Sequence, residues 1–222
     1  MSGVSTPTRR GPRRVEAERN DRALLEAARE VLAEDGAHAS VAAIAARAGV
    51  GIGSLYRRYR TKQELFQRLC VLSMEHSIQA AERGLDDADP WRGLAGFVVE
   101  CVEFGQGQLG PIAGSIEVTE EMAAKARRAD EVAAALVERA HAAGVLRPDV
   151  TRIDLALLIE QLGSSPMLKQ LRGREKLFSA AERAHRRIVA IALDGLRAQG
   201  ASKLPGEPPT DELFSGRWEK LP

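Results

Sequence analysis

The run AGVGIGSLYRRYRTKQELF, Ala48 to Phe66, decides how the chain is read. Within it fall three glycines (Gly49, Gly51 and Gly53), two tyrosines (Tyr56 and Tyr59) and four cations (Arg57, Arg58, Arg60 and Lys62). A core helix would not tolerate the glycines, since each costs roughly 1 kcal/mol of helix stability relative to alanine. An ordinary surface helix has no use for the tyrosines. Both choices make sense for a short helix that must approach a polyanion closely. The glycines remove bulk, the tyrosines offer hydroxyl tips suited to phosphate oxygens, and the cations serve phosphates or a guanine edge.

Upstream, Leu24, Leu25, Ala28, Val31 and Leu32 recur at helical steps from about Asn20 and stop at Gly36, a left-handed C-cap. Ser40 is the expected N-cap of a second helix whose buried face is Val41, Ile44, Ala45 and Ala48, ended by Gly49. After the glycine-rich helix, Thr61 and Glu64 in TKQE spell a capping box for a long helix reaching about Arg83. Three short helices joined in this way have the dimensions of a helix-turn-helix, which holds its last helix ready for the major groove.

Charge follows the same division. Residues 1–70 carry 13 Lys/Arg against 8 Asp/Glu, whereas 71–222 carry 19 against 23, so only the front part of the chain suits a polyanionic partner. Residues 1–16, with Arg9, Arg10, Arg13 and Arg14 and no apolar periodicity, read as a disordered basic arm, either a solubilising tail or an added DNA contact. No run is long and apolar enough to span a membrane, and no secretory signal opens the chain, which points to the cytoplasm. Cys70 and Cys101 lack metal or redox spacing and read as reduced thiols, and the four histidines show no ligand spacing.

Beyond Arg83, Asp89 and Pro90 open a helix over 91–105 that is apolar on most sides, with Arg92, Glu100 and Glu103 confined to one sector. The glycine-rich GQGQLGPIAG (105–114) is a connection, and helical patterns follow at 117–126, 128–143, 151–162 and 175–199. The tail 201–222 holds four prolines and reads as irregular. About nine helices and no convincing strand make the fold class all-α.

The segment SVAAIAARAGVGIGSLYRRYRTKQELF (40–66) closely resembles the signature of the TetR family of bacterial transcriptional regulators, and AHAAGVLRPDVTRIDLALLI (140–159) looks like that family's late segment. Two positions depart from the signature: Tyr59 stands for a usual phenylalanine, and Arg60 for a frequent proline or asparagine. The resemblance implies a helix-turn-helix head over 17–77, with its motif at about 40–59. It implies an effector-binding and dimerisation domain over 78–200, with a homodimer formed through the last two helices, about 151–170 and 175–199. It further implies Ile52, Gly53, Ser54 and Arg58 towards base edges, and Ser40, Tyr56, Arg57 and Lys62 as phosphate contacts on a palindromic double-stranded operator.

The apolar helices can enclose a cavity for an unknown small-molecule effector, with Trp91, Phe97, Cys101, Phe104, Met122, Leu158 and Met167 as candidate lining residues. Glu160 is either a surface or dimer-interface carboxylate or a pocket acid selecting a cation. The resulting expectation is a ligand-released repressor that needs no cofactor or metal. An activator, or a regulator without an effector, is the alternative within the class. From other classes come a helical enzyme with an incidental DNA-binding head and an interaction module using PGEPPTDELF. No Ser/His/Asp constellation, no phosphate-cradling loop ahead of a lysine and no paired metal spacing favours the enzyme.

Overall fold

A computed structural model describes residues 12–105, 107–171, 173–200, 202–210, 212 and 216. Among these residues nine α-helices follow one another: α1 (Pro12–Asp35), α2 (Val41–Ala48), α3 (Ile52–Arg58), α4 (Lys62–Asp86), α5 (Pro90–Glu103), α6 (Glu120–Ala142), α7 (Arg152–Gly163), α8 (Pro166–Gln170) and α9 (Glu175–Gly195). Two single 3-10 turns interrupt the connections, and one isolated β-bridge joins Leu146 to Arg197. The all-α expectation holds. Among the described residues no helix is long and apolar enough to cross a membrane.

The local signals act as capping chemistry requires. The Ser40 hydroxyl accepts from the Ala43 N–H at 3.0 Å, and Asp89 accepts from Arg92 with Pro90 in the first turn. At Thr61 the outcome differs from the expected capping box. Thr61 does accept from the Glu64 N–H, but the Glu64 carboxylate takes the Arg60 N–H at 2.7 Å, one residue ahead of the cap. The complete box lies at Thr151 and Asp154, opening α7, a helix whose cap the sequence analysis did not single out.

Three element boundaries also move. Helix α1 begins at Pro12, not near Asn20, because Arg, Glu and Ala favour helix without displaying an apolar face. Residues 12–16 of the expected arm therefore belong to a helix, and residues 1–11 lie outside those described. The patterns at 117–126 and 128–143 are one helix, α6, since a lapse in apolar spacing at Arg127–Arg128 breaks no hydrogen bond. Conversely, the span 151–170 divides into α7 and α8 just before Pro166, which supplies no N–H to continue the ladder. Of the tail, residues 202–210 are irregular, and 213–215 and 217–222 lie outside the description.

Two hydrophobic cores result. The first gathers α1, α2, Leu55, Tyr59 and the front of α4, and it also takes in Leu109, Ile112, Ile116 and Met122. The head core thus includes residues far beyond position 77. The second core lies among the rest of α4 and α5, α6, α7 and α9. Helix α4 runs through both: Leu65, Phe66 and Leu69 pack into the first core, Ile78, Ala80 and Ala81 into the second. Where α4 crosses α5, backbone meets backbone. A Cβ on Gly93 would stand 2.2 Å from the Gly84 carbonyl oxygen, so both positions exclude any side chain.

Candidate nucleic-acid interface

The turn between α2 and α3 depends on Gly49, whose φ of 66° lies in the left-handed region that other residues rarely adopt. Its geometry lets the Gly49 and Val50 N–H groups close onto the carbonyls of Ala46 and Ala45. Helix α3 then rests on the head through Leu55 and, just past its end, Tyr59, both buried. Every other α3 residue is exposed, including the large apolar Ile52 (45%) and Tyr56 (49%). At 100° per residue, Gly53, Ser54 and Arg57 point away from the head, with Ile52 and Tyr56 on one flank and Arg58 on the other. A seven-residue helix with so little packed against the protein gains little from hydrophobic burial. Its exposed face suits contact with another molecule.

The sequence-assigned residues lie at the start of α2, along α3 and in the first turn of α4. Ser40 is exposed at the start of α2 while its hydroxyl caps the helix. Lys62 sits in the first turn of α4, half-buried, with its ammonium 5.2 Å from the Phe66 ring centre. Arg58 leans back, its guanidinium carbon 5.4 Å from the Tyr59 ring centre, whereas Arg57 is on the outward side. The expectation that Tyr59 offers its hydroxyl to phosphate is corrected. At 8% exposure it is part of the head core, filling a place where an apolar ring packs. Arg47 serves the fold instead, holding Glu30 at 2.7 Å and Glu34 at 3.2 Å and so tying α2 to α1.

In the body, the candidate pocket residues are scattered. Phe97 and Cys101 are buried in the second core, where burial pushes the Cys101 thiol up to about 12, and Met122 is buried in the first. Leu158 packs against the second core, Trp91 lies under the Arg197 guanidinium at 4.2 Å, and Met167 is exposed. Glu160 packs against the glycine-rich connection: a Cβ on Gly107, whose φ is 95°, would collide with Glu160 at 2.7 Å. None of these seven residues, nor Phe104, lines the open cavity of about 350 Å³ that the body does contain. That cavity is walled by the end of α5, by Gln108, by the α7–α8 junction and by one face of α9.

Phe104, expected in the pocket, has a different place, at the joint between head and body. The Arg29 guanidinium from α1 donates to the Phe104 carbonyl and lies 4.2 Å from the centre of its ring. The His76 imidazole of α4 stacks on that ring at 3.5 Å and 6°. Two groups so close cannot share one face, so the phenyl ring is sandwiched between them. Burial pulls Arg29 down to about 10 from 12.5, which leaves it charged at neutral pH. Sequence reading missed this cluster because no periodicity links positions 29, 76 and 104.

Comparison with known proteins agrees with this architecture. Residues 24–69 match the profile described as bacterial regulatory proteins, tetR family. Residues 89–198 match the SbtR-like transcriptional regulator C-terminal domain. Among solved structures, a TetR transcriptional regulator from Streptomyces coelicolor is 21% identical with a TM-score of 0.56, over 81% of this chain and 99% of that one. A TetR regulatory protein from Mycobacterium vanbaalenii gives 24% identity and 0.55, over 84% and 99%. The TetR-like regulator LfrR from Mycobacterium smegmatis, determined in complex with proflavine, gives 26% and 0.54, over 85% and 99%. With its exposed α3 on a helix-turn-helix head and an all-helical body behind it, the chain belongs to the TetR family of transcriptional regulators.

Proposed function

We propose that the protein is a cytoplasmic homodimeric repressor that binds a palindromic operator and leaves it when a small molecule occupies the body. The observation that carries this reading is α3 itself, fixed by Leu55 and Tyr59 and exposing everything else beside Arg57, Arg58, Arg60 and Lys62. One such helix contacts too few bases to select a genomic site, so two half-sites are needed. The second copy has a surface to meet: α9 exposes Leu177, Ala180, Ala184, Ile188 and Ile191 along one stripe. Paired with α7 across a two-fold axis, that stripe suits a four-helix interface. Regulation by a ligand is supported by LfrR, which was determined with proflavine bound.

In this reading Ile52, Gly53, Ser54 and Arg58 approach base edges, while Ser40, Tyr56, Arg57 and Lys62 hold phosphates. The outward position of Arg57 and the backward lean of Arg58 favour a second version, in which the two arginines exchange roles. Binding to DNA from beside the protein's own gene, at two salt concentrations, separates the versions. The base reader, changed to alanine, loses about 1–3 kcal/mol of discrimination against random DNA. The phosphate contact, changed likewise, weakens binding to all sequences and lowers the salt slope by about 1. Wild type that binds the operator no better than random DNA, or with one chain per site, overturns the proposal.

A further inference from the structure

We propose that the open cavity against α9 is a binding site for an amphipathic organic monocation. The inference rests on the regulator reading and gives its effector a chemical class. A volume of about 350 Å³ is at the small end of the range typical for small-molecule sites. Val102, Leu168 and Phe178 give it apolar walls, enough to hold a compact hydrocarbon or aromatic body.

Charge fixes the rest of the ligand. Glu103 comes from α5, and Glu182 from α9. Arg186 stands one turn beyond Glu182 on the same helix and can offset that carboxylate, leaving Glu103 as the excess charge. The backbone adds to the same sign. Helix α5 ends at Glu103 and α7 ends at Gly163, and both residues line the cavity, so two helix C-termini bring the negative ends of their dipoles to it. The Gly163 carbonyl already accepts from Gln108 at 2.8 Å, which fixes this wall to the glycine-rich connection. Helix α8 also opens here, but it has five residues and begins at Pro166, which lacks an N–H, so its opposing dipole is small. An anion would meet the Glu103 carboxylate and two carbonyl ends, with Arg186 offset by Glu182 and the His185 imidazole beside it on α9. A monocation meets one uncompensated carboxylate, two carbonyl ends and the Phe178 ring, whose face attracts positive charge.

The cavity is also placed to matter. Its lining residues Val102 and Glu103 immediately precede Phe104 in the chain, the residue that Arg29 of the head holds by its carbonyl and ring. An occupant that presses on this wall acts on the joint between body and head. The α9 residues that line the site, Phe178, Glu182, His185 and Arg186, lie on a different side of that helix from the stripe of Leu177, Ile188 and Ile191.

The test uses the full-length protein and two fluorescent probes of one shape and opposite charge, (1-naphthylmethyl)trimethylammonium and 1-naphthaleneacetate. Titrations followed by anisotropy are run on wild type, Glu103→Gln, Glu182→Gln, the double variant and a control on exposed Glu138→Gln. The expected result is binding of the cation at least tenfold tighter than the anion, a further tenfold loss in the double variant, and no change in the control. Equal affinity for both probes, absence of cation binding, or cation binding indifferent to both glutamine changes overturns the proposal. Operator binding measured on the same samples keeps the two readings apart. Operator recognition without charge-selective probe binding sinks only the site, whereas wild type without operator recognition sinks the regulator.

Discussion

The surface around α3 takes all its residues from positions 40–62, one run of chain, whereas the cavity takes its walls from Val102, Glu103 and Gln108 and from residues within 163–168 and 178–186. The first is held by local chemistry: an N-cap at Ser40, a left-handed Gly49 and two buried anchors. The second exists only because α5, α7 and α9 end or pass near one another. A surface made from neighbours in sequence can tolerate change in the body, while a cavity made from distant segments depends on every helix crossing that supports it. Glycine shows the contrast most directly. At Gly51 and Gly53 an added Cβ would meet nothing within 4 Å, while at Gly84 and Gly93 it would strike backbone.

The same substitution should therefore have opposite effects in the two regions. Gly93→Ala forces α4 and α5 apart and should cost about 3 kcal/mol or more, read by denaturant unfolding, with loss of the cavity. Gly53→Ala should leave the fold intact or raise stability by up to about 1 kcal/mol. Its methyl group should instead lower operator affinity, because it occupies space kept open for the duplex. A Gly53→Ala protein with unchanged operator affinity would show that α3 does not approach DNA by this end, and the contrast would fail.

A smaller effect is expected at the joint. Arg29→Met removes a charged hydrogen bond to the Phe104 carbonyl and the cation over its ring, and should cost about 2 kcal/mol. The sharper readout is coupling. The cavity should still bind its cationic probe, but operator release in response to it should be weakened. If release is unchanged, the signal travels by a route other than residues 102–108.

The smallest effect should appear with pH. Burial holds His76 below its ordinary 6.5, aided by the charges of Arg83 and Arg29 and opposed by Glu100 at 3.7 Å. As pH falls below 6.5 the unfolded chain takes up this proton before the folded one does, so stability declines on acidification and is fully present above that pH. The midpoint of urea unfolding should fall between pH 7.5 and 5.5 in wild type. It should fall less in His76→Phe, which keeps the stack and removes the titration. Parallel slopes would exclude His76 as the cause.

Much of the head was legible because its determinants are close in sequence. Ser40, Gly49, Thr61, Asp89 and Pro90 act through groups two to five residues away, so spacing alone locates them. The misreadings share one cause, which is that periodicity reports a buried face and not a helix. Residues 12–19 and the Arg127–Arg128 region form helix without contributing that signal. Tyr59 was misassigned because a tyrosine in a run of cations looks like a phosphate contact, whereas the packing of α3 buries it against the head. That none of the pocket candidates lines the α9 cavity has a related reason. Phe97, Cys101 and Met122 are apolar and inward, which is what a packed core needs as much as a cavity does.

By itself, then, the sequence determined the helices, their caps and the composition of α3, since these depend on backbone hydrogen bonds and side chains within a turn or two of one another. Only the tertiary structure decided where empty space remains, which arginines tie helices together and which point outward, and that Phe104 joins head to body. Those outcomes depend on how helices far apart in the chain cross, and a crossing is set by close packing across distances that no local pattern encodes.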